Sequence, residues 1–134
     1  MIAGLLLGAG AVLVFKDTPA PATTQATSNL PQAQLDRALA QHKPVLVFYH
    51  SNTCDSCIQM IDIVQQVYPA FAGSIALVDV NVYEPQNQAL LERKKIQYIP
   101  TLILYKRSGQ NQTFIGVIEP EQLHNELLAL SEGQ

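Results

Sequence analysis

A chain of 134 residues, 48% hydrophobic, with net charge −3 and a pI near 5.5, has room for one packed domain and an appendage. The acidic balance excludes binding to nucleic acid through bulk charge, and the one basic cluster, Arg93, Lys94 and Lys95, falls where an expected helix ends and cations suit its dipole. Two cysteines three residues apart, Cys54 and Cys57, are too few and too close for a disulfide scaffold.

Residues 1–15 carry no charged or strongly polar side chain. As a helix they would span about 22 Å, short of a bilayer core of about 30 Å. The length suits the apolar part of a signal peptide or a marginal anchor, and membrane attachment through this segment is expected. Residues 16–31 follow as a flexible linker: from Asp17 onward three Pro, four Thr and three Ala accompany one charge and no apolar period.

Residues 32–134 read as the globular domain. Leu35, Ala38 and Leu39 share one helical face between Pro31 and Pro44. Residues 45–49, Val-Leu-Val-Phe-Tyr, form a short apolar run typical of a strand buried on both faces. A helix opened by Cys54 should run to Tyr68, with Ile58, Ile61, Val64 and Tyr68 turned inward, before Pro69 and Gly73 end it. Residues 74–82 read as a second buried strand, 86–95 as a helix, 101–105 as a third strand. Turn chemistry at 107–111 then predicts a hairpin to a fourth strand over 113–118. A terminal helix opens at Glu119-Pro120, with Leu123, Leu127, Leu128 and Leu130 as its stripe. An apolar strand–helix–strand start calls for parallel pairing and the hairpin for antiparallel pairing. The expected class is therefore α/β, a central mixed β-sheet flanked by helices.

The chemistry concentrates at Cys54-Asp55-Ser56-Cys57. A strand that delivers this spacing onto the first turn of a helix puts both sulfurs on one side, within bridging reach. The helix start adds free N–H groups and a positive dipole end, both of which favour a thiolate. Asp55 is expected to oppose this by raising the pKa of Cys54, which would make the pair a reductant. Ser56, Thr53 and His50 flank the pair as further candidates for tuning it. His50 also suits a plain polar strand end, and no second cysteine pair exists to complete a metal site. His42 and His124 have no ligand spacing and are expected to face solvent, and Asp62 and Asp79 read as a solvated helix face and a strand end.

From about Leu30 onward the chain resembles the thioredoxin family. Three pieces carry the resemblance: the strand leading into Cys54-Asp55-Ser56-Cys57; Ile99-Pro100 and the strand after it; and Gly116 followed by Glu119-Pro120-Glu121-Gln122-Leu123. The resemblance implies a thioredoxin-like fold in which Pro100 is cis and faces the cysteines, and the backbone of Ile99 pairs with an extended substrate. It implies Cys54 as nucleophile and Cys57 as resolving cysteine, with no cofactor beyond the redox-active Cys54–Cys57 disulfide and no metal. The chain departs from the archetypes of the family in having Thr53 in place of Trp, Asp55-Ser56 in place of Gly-Pro, and Phe48 where a buried acid serves the second cysteine. Deprotonation of Cys57 must then use water, a substrate group or another side chain.

The function expected is that of a thiol–disulfide oxidoreductase, monomeric in its globular part, that reduces or exchanges disulfides of extracytoplasmic proteins, in the periplasm or at the cell surface. A membrane thiol carrier would supply its electrons. The alternative is a module that handles copper or only binds peptides; the absence of any Met-rich or His-rich tract counts against the metal version.

Overall fold

The computed structural model describes residues 28–133. The expected apolar segment, 1–15, and most of the expected linker, 16–31, lie outside the described residues. Among the described residues no helix is long and apolar enough to cross a membrane.

Helix α1 (Pro31–Ala40) starts on a proline, whose missing N–H costs nothing at a first helical position. Strand β1 (Val45–His50) is buried at every residue. Helix α2 (Asp55–Val67) runs into a 3₁₀ turn (Tyr68–Phe71) and then β2 (Ala76–Asn81). A second 3₁₀ turn (Pro85–Asn87) leads into α3 (Gln88–Lys94), which Lys95 ends in the left-handed conformation. Strands β3 (Thr101–Tyr105) and β4 (Asn111–Ile115) form the hairpin, and α4 (Pro120–Ser131) closes the domain. β4 stops short of the expected Ile118 because Gly116 takes φ +90, which turns the chain out of the sheet.

The sheet order is β2-β1-β3-β4, with β1 parallel to β2, antiparallel to β3, and β3 antiparallel to β4. The mixed sheet expected from the element order is what forms. Because β1 is central, its alternate side chains serve two cores. Leu46 and Phe48 pack with Met60, Ile63, Val64 and Val67 of α2 and Leu123, Leu127 and Leu130 of α4. Val45, Val47 and Tyr49 pack on the other side with Leu35 and Ala38 of α1 and Leu90 of α3. The bond between Arg93 of α3 and Asp36 of α1, 3.0 Å and half exposed at both ends, ties those helices together and contributes little to stability.

Two apolar stripes differ from expectation. On α2 the buried residues are Cys57, Met60, Ile63, Val64 and Val67, while Ile58 is 45% exposed and Ile61 and Tyr68 are only partly covered. The helix packs against the sheet and α4 together, so its buried arc is turned away from Ile58. Leu128 of α4 likewise lies at the surface, because Leu123, Leu127 and Leu130 already fill the sheet-facing side. His124 is exposed and sets its ring edge-on to Phe71, and the His42 ring lies against the backbone carbonyl of Arg107.

Candidate active site

Tyr49 pairs with Thr101 at the end of the β1–β3 ladder. This brings the segment from His50 to Cys57 and the segment Ile99–Pro100 to the same end of the sheet. The Ile99–Pro100 peptide bond is cis. Pro100 is buried, Ile99 is partly covered, and the Pro100 carbonyl accepts from the Gly116 N–H at 2.8 Å.

Cys54 is the N-cap of α2. Its sulfur accepts from the Cys57 backbone N–H at 3.2 Å, in the place where a Ser or Asp oxygen usually caps a helix. The Ser56 hydroxyl also lies 3.2 Å from this sulfur. Both cysteines are free thiols; Cys54 is partly exposed and Cys57 fully buried. The Cys57 thiol, then the Ser56 hydroxyl, then the N–H groups of both residues favour the Cys54 thiolate and hold its pKa below the ordinary thiol value, against some opposition from burial. Cys57 is shifted the other way, first by burial and then by the proton it holds toward Cys54, with partial relief from the backbone and hydroxyl of Ser51. The pair therefore divides into an outer sulfur disposed to ionise and an inner one disposed to keep its proton.

This overturns the expectation for Asp55. Its side chain is exposed at the first position of α2, where water screens it, and the hydrogen bonds at the helix start decide the direction. The argument that Asp55 makes the pair a reductant falls with it. Of the other candidates, Ser56 touches the sulfur, whereas exposed Thr53 places its hydroxyl 3.5 Å from that of Ser51.

His50 is 5% exposed. Its ring lies over Phe48 with centroids 4.6 Å apart, and its Nε2 meets a carboxylate oxygen of Asp79 at 2.8 Å. Asp79 is a residue that sequence reasoning set aside. It stands opposite Phe48 in the parallel ladder, two positions short of the Asn81 that faces His50. Only the register of two strands 29 residues apart in sequence reveals the pair. The alternation of Asp79 with buried Val78 and Val80 was the available hint that it faces the α2 side. Ser51, buried beside Cys57, was also missed. Among the described residues no group of three or more His, Cys, Asp or Glu is placed to hold a metal ion.

The geometry has clear relatives. The family model for thioredoxin matches residues 26–129. A thioredoxin of Alicyclobacillus acidocaldarius is 32% identical over 102 residues, covering 76% of this chain and 95% of the relative. The thiol:disulfide interchange protein DsbD of Klebsiella pneumoniae is 33% identical over 87 residues, covering 60% of this chain but 14% of that protein. Among solved structures, chloroplastic thioredoxin z superposes with a TM-score of 0.64 at 20% identity, covering 75% of this chain and 89% of that one. Mitochondrial thioredoxin 3 of Saccharomyces cerevisiae gives 0.61 at 18% identity, covering 74% and 90%. A paired Cys54 and Cys57 at a helix start, on this sheet order and with this family match, supports thiol–disulfide oxidoreductase chemistry in general, and the chain belongs to the thioredoxin family.

Proposed function

We propose that the protein reduces disulfide bonds in protein substrates through Cys54 and Cys57. The observation that carries this reading is the asymmetry of the pair: one partly exposed sulfur capping a helix and one buried sulfur a turn behind it. Cys54, as thiolate, attacks one substrate sulfur and displaces the other as a thiolate. Cys57 then attacks the Cys54 sulfur of the mixed disulfide, so the substrate leaves with both sulfurs reduced and the protein keeps the Cys54–Cys57 disulfide. An extended substrate segment would lie along Ile99 and Pro100, at the same end of the sheet.

The reducing direction is argued from the family match, because thioredoxin itself lies toward the reducing end of the scale, at about −270 mV. The lowered pKa of Cys54 pulls the other way, but the groups that lower it are hydrogen-bond donors, not a cation. The apolar residues 1–15 support a placement outside the cytoplasm on a membrane tether. There a membrane thiol carrier would restore the dithiol, and the similarity to a thiol:disulfide interchange protein supports exchange between thiols and disulfides.

Equilibration of the full chain with glutathione or dithiothreitol tests the direction. A potential near that of thioredoxin, about −270 mV, is the expected result, and one near about −120 mV would make the protein an oxidant. Stoichiometric retention of copper without turnover on a protein disulfide would replace the enzyme with a metal-binding module.

A further inference from the structure

The resolving step has a chemical difficulty that the site as described leaves open. Cys57 must lose a proton to attack, yet burial holds that proton in place. The side chain two residues before His50 on the same face is Phe48, which can accept nothing. A base has to come from elsewhere.

His50 meets the requirements for one. The pleat of β1 puts its ring on the face that carries Leu46 and Phe48, the side covered by α2, and the ring stacks on Phe48. The next residue, Ser51, is the one whose backbone and hydroxyl reach the Cys57 sulfur, so the imidazole and the thiol flank the same peptide. An ionised carboxylate only accepts hydrogen bonds, so the 2.8 Å contact with Asp79 places the proton on Nε2. In the neutral ring, Nδ1 then carries a lone pair. That nitrogen is buried and has no hydrogen-bond partner. A buried polar atom without a partner costs stability. An imidazole with one nitrogen fixed by a carboxylate and the other left free to accept is the arrangement of a general base.

We propose that the His50–Asp79 pair is the proton acceptor for Cys57, directly or through one water molecule, when Cys57 resolves the mixed disulfide. The step balances as follows. The Cys57 proton moves to Nδ1, and the new thiolate attacks the Cys54 sulfur. The Cys54–Cys57 bond forms as the bond to the substrate sulfur breaks. The substrate sulfur leaves as a thiolate, reduced, and takes the proton back from the imidazolium. Asp79 stabilises the imidazolium in the interval and stays ionised. Because Asp79 is 61% exposed while His50 is buried, its carboxylate can keep its charge in solvent and still orient the ring. The titratable group that meets the ring is Asp79 from β2, and Cys57 lies in the first turn of α2, the helix that covers this face; β3 and α4 bring the apolar Leu102, Leu104, Leu123 and Leu127 to it. The proposal rests on the cysteine roles given above but not on the direction of net electron flow.

The test separates the two sulfurs. Reduced full-length protein is mixed with 5,5′-dithiobis(2-nitrobenzoate), and release of the coloured thiolate is followed by stopped flow. The first equivalent reports attack by Cys54 and the second reports attack by Cys57. In His50→Gln the second phase should slow about 100-fold near pH 7, the low end for a positioned base. The deficit should close at high pH, where hydroxide deprotonates Cys57 unaided. Asp79→Asn should slow the second phase by less, since the imidazole remains. A second phase in His50→Gln with the rate and pH profile of the unmodified protein overturns the proposal. Should His50→Gln not fold, Asp79→Asn decides, because its side chain lies largely in solvent; an unchanged second phase there overturns the relay. A His50-dependent second phase in a protein that proves to be an oxidant would refute the reducing direction and uphold the relay. A natural protein with no second phase at all would overturn both.

Discussion

Tyr49 and His50 are neighbours at one end of β1, each buried, each with one polar atom that has no hydrogen-bond partner, and they point to opposite faces of the sheet. On the α1–α3 side, Tyr49 belongs to a largely apolar cluster, and burial, then neighbouring Tyr105, push its ionisation well above the ordinary phenol range. On the α2–α4 side, the His50 ring is held by Asp79 and borders the thiol segment. The same degree of burial therefore has two results. A phenol locked in its neutral form can do no proton chemistry, whereas an imidazole with a carboxylate at its far nitrogen is ready to accept a proton. The difference teaches that an orphaned polar atom is informative only together with what holds the rest of its side chain.

Three substitutions can break or sharpen this division between a reactive face and a structural one. The largest effect is expected for Cys54→Ser, which removes the sulfur that caps α2 and should abolish protein-disulfide turnover in an insulin reduction assay. Residual turnover carried by Cys57 alone would contradict the division of labour between outer and inner sulfur. Next comes Leu35→Ala on α1, fully buried on the structural face. It should cost about 2–5 kcal/mol in urea unfolding and leave the resolution rate per folded molecule as it was. A loss of rate out of proportion to unfolding would mean that the two faces are coupled. The smallest is Tyr49→Phe, which deletes the unpartnered hydroxyl and should raise stability by up to about 1 kcal/mol with no change in either thiolate-release phase. Slowed resolution in that variant would erase the contrast with His50.

The ease of reading this chain varied with how local the cause was. The run at 45–49 was legible because β1 is buried on both faces and needs apolar residues at every position. The cysteine helix was legible for a similar reason: cap, spacing and dipole all lie within one turn. The buried arc of α2 was not, since Cys57, Met60, Val64 and Val67 form one stripe while Ile58, Ile61 and Tyr68 form another. Only the position of α4 decides between them, and that belongs to the other end of the chain. The direction of the Cys54 shift was misread because a charge in the sequence was weighed without its exposure, and hydrogen bonds to the sulfur outweighed exposed Asp55. The link between His50 and Asp79 depends on strand register, which neither residue's neighbours specify.

The helix cap carries one further consequence. Cys54 is both the nucleophile proposed for the reaction and the acceptor for the first-turn N–H of Cys57. A thiolate accepts such a bond strongly, and a sulfur shared in a disulfide accepts it weakly. In the proposed reaction each turnover would therefore tighten and slacken the first turn of α2. Helix order at this end would then record how many electrons the protein holds, in the rigidity of the backbone and not only in the sulfurs.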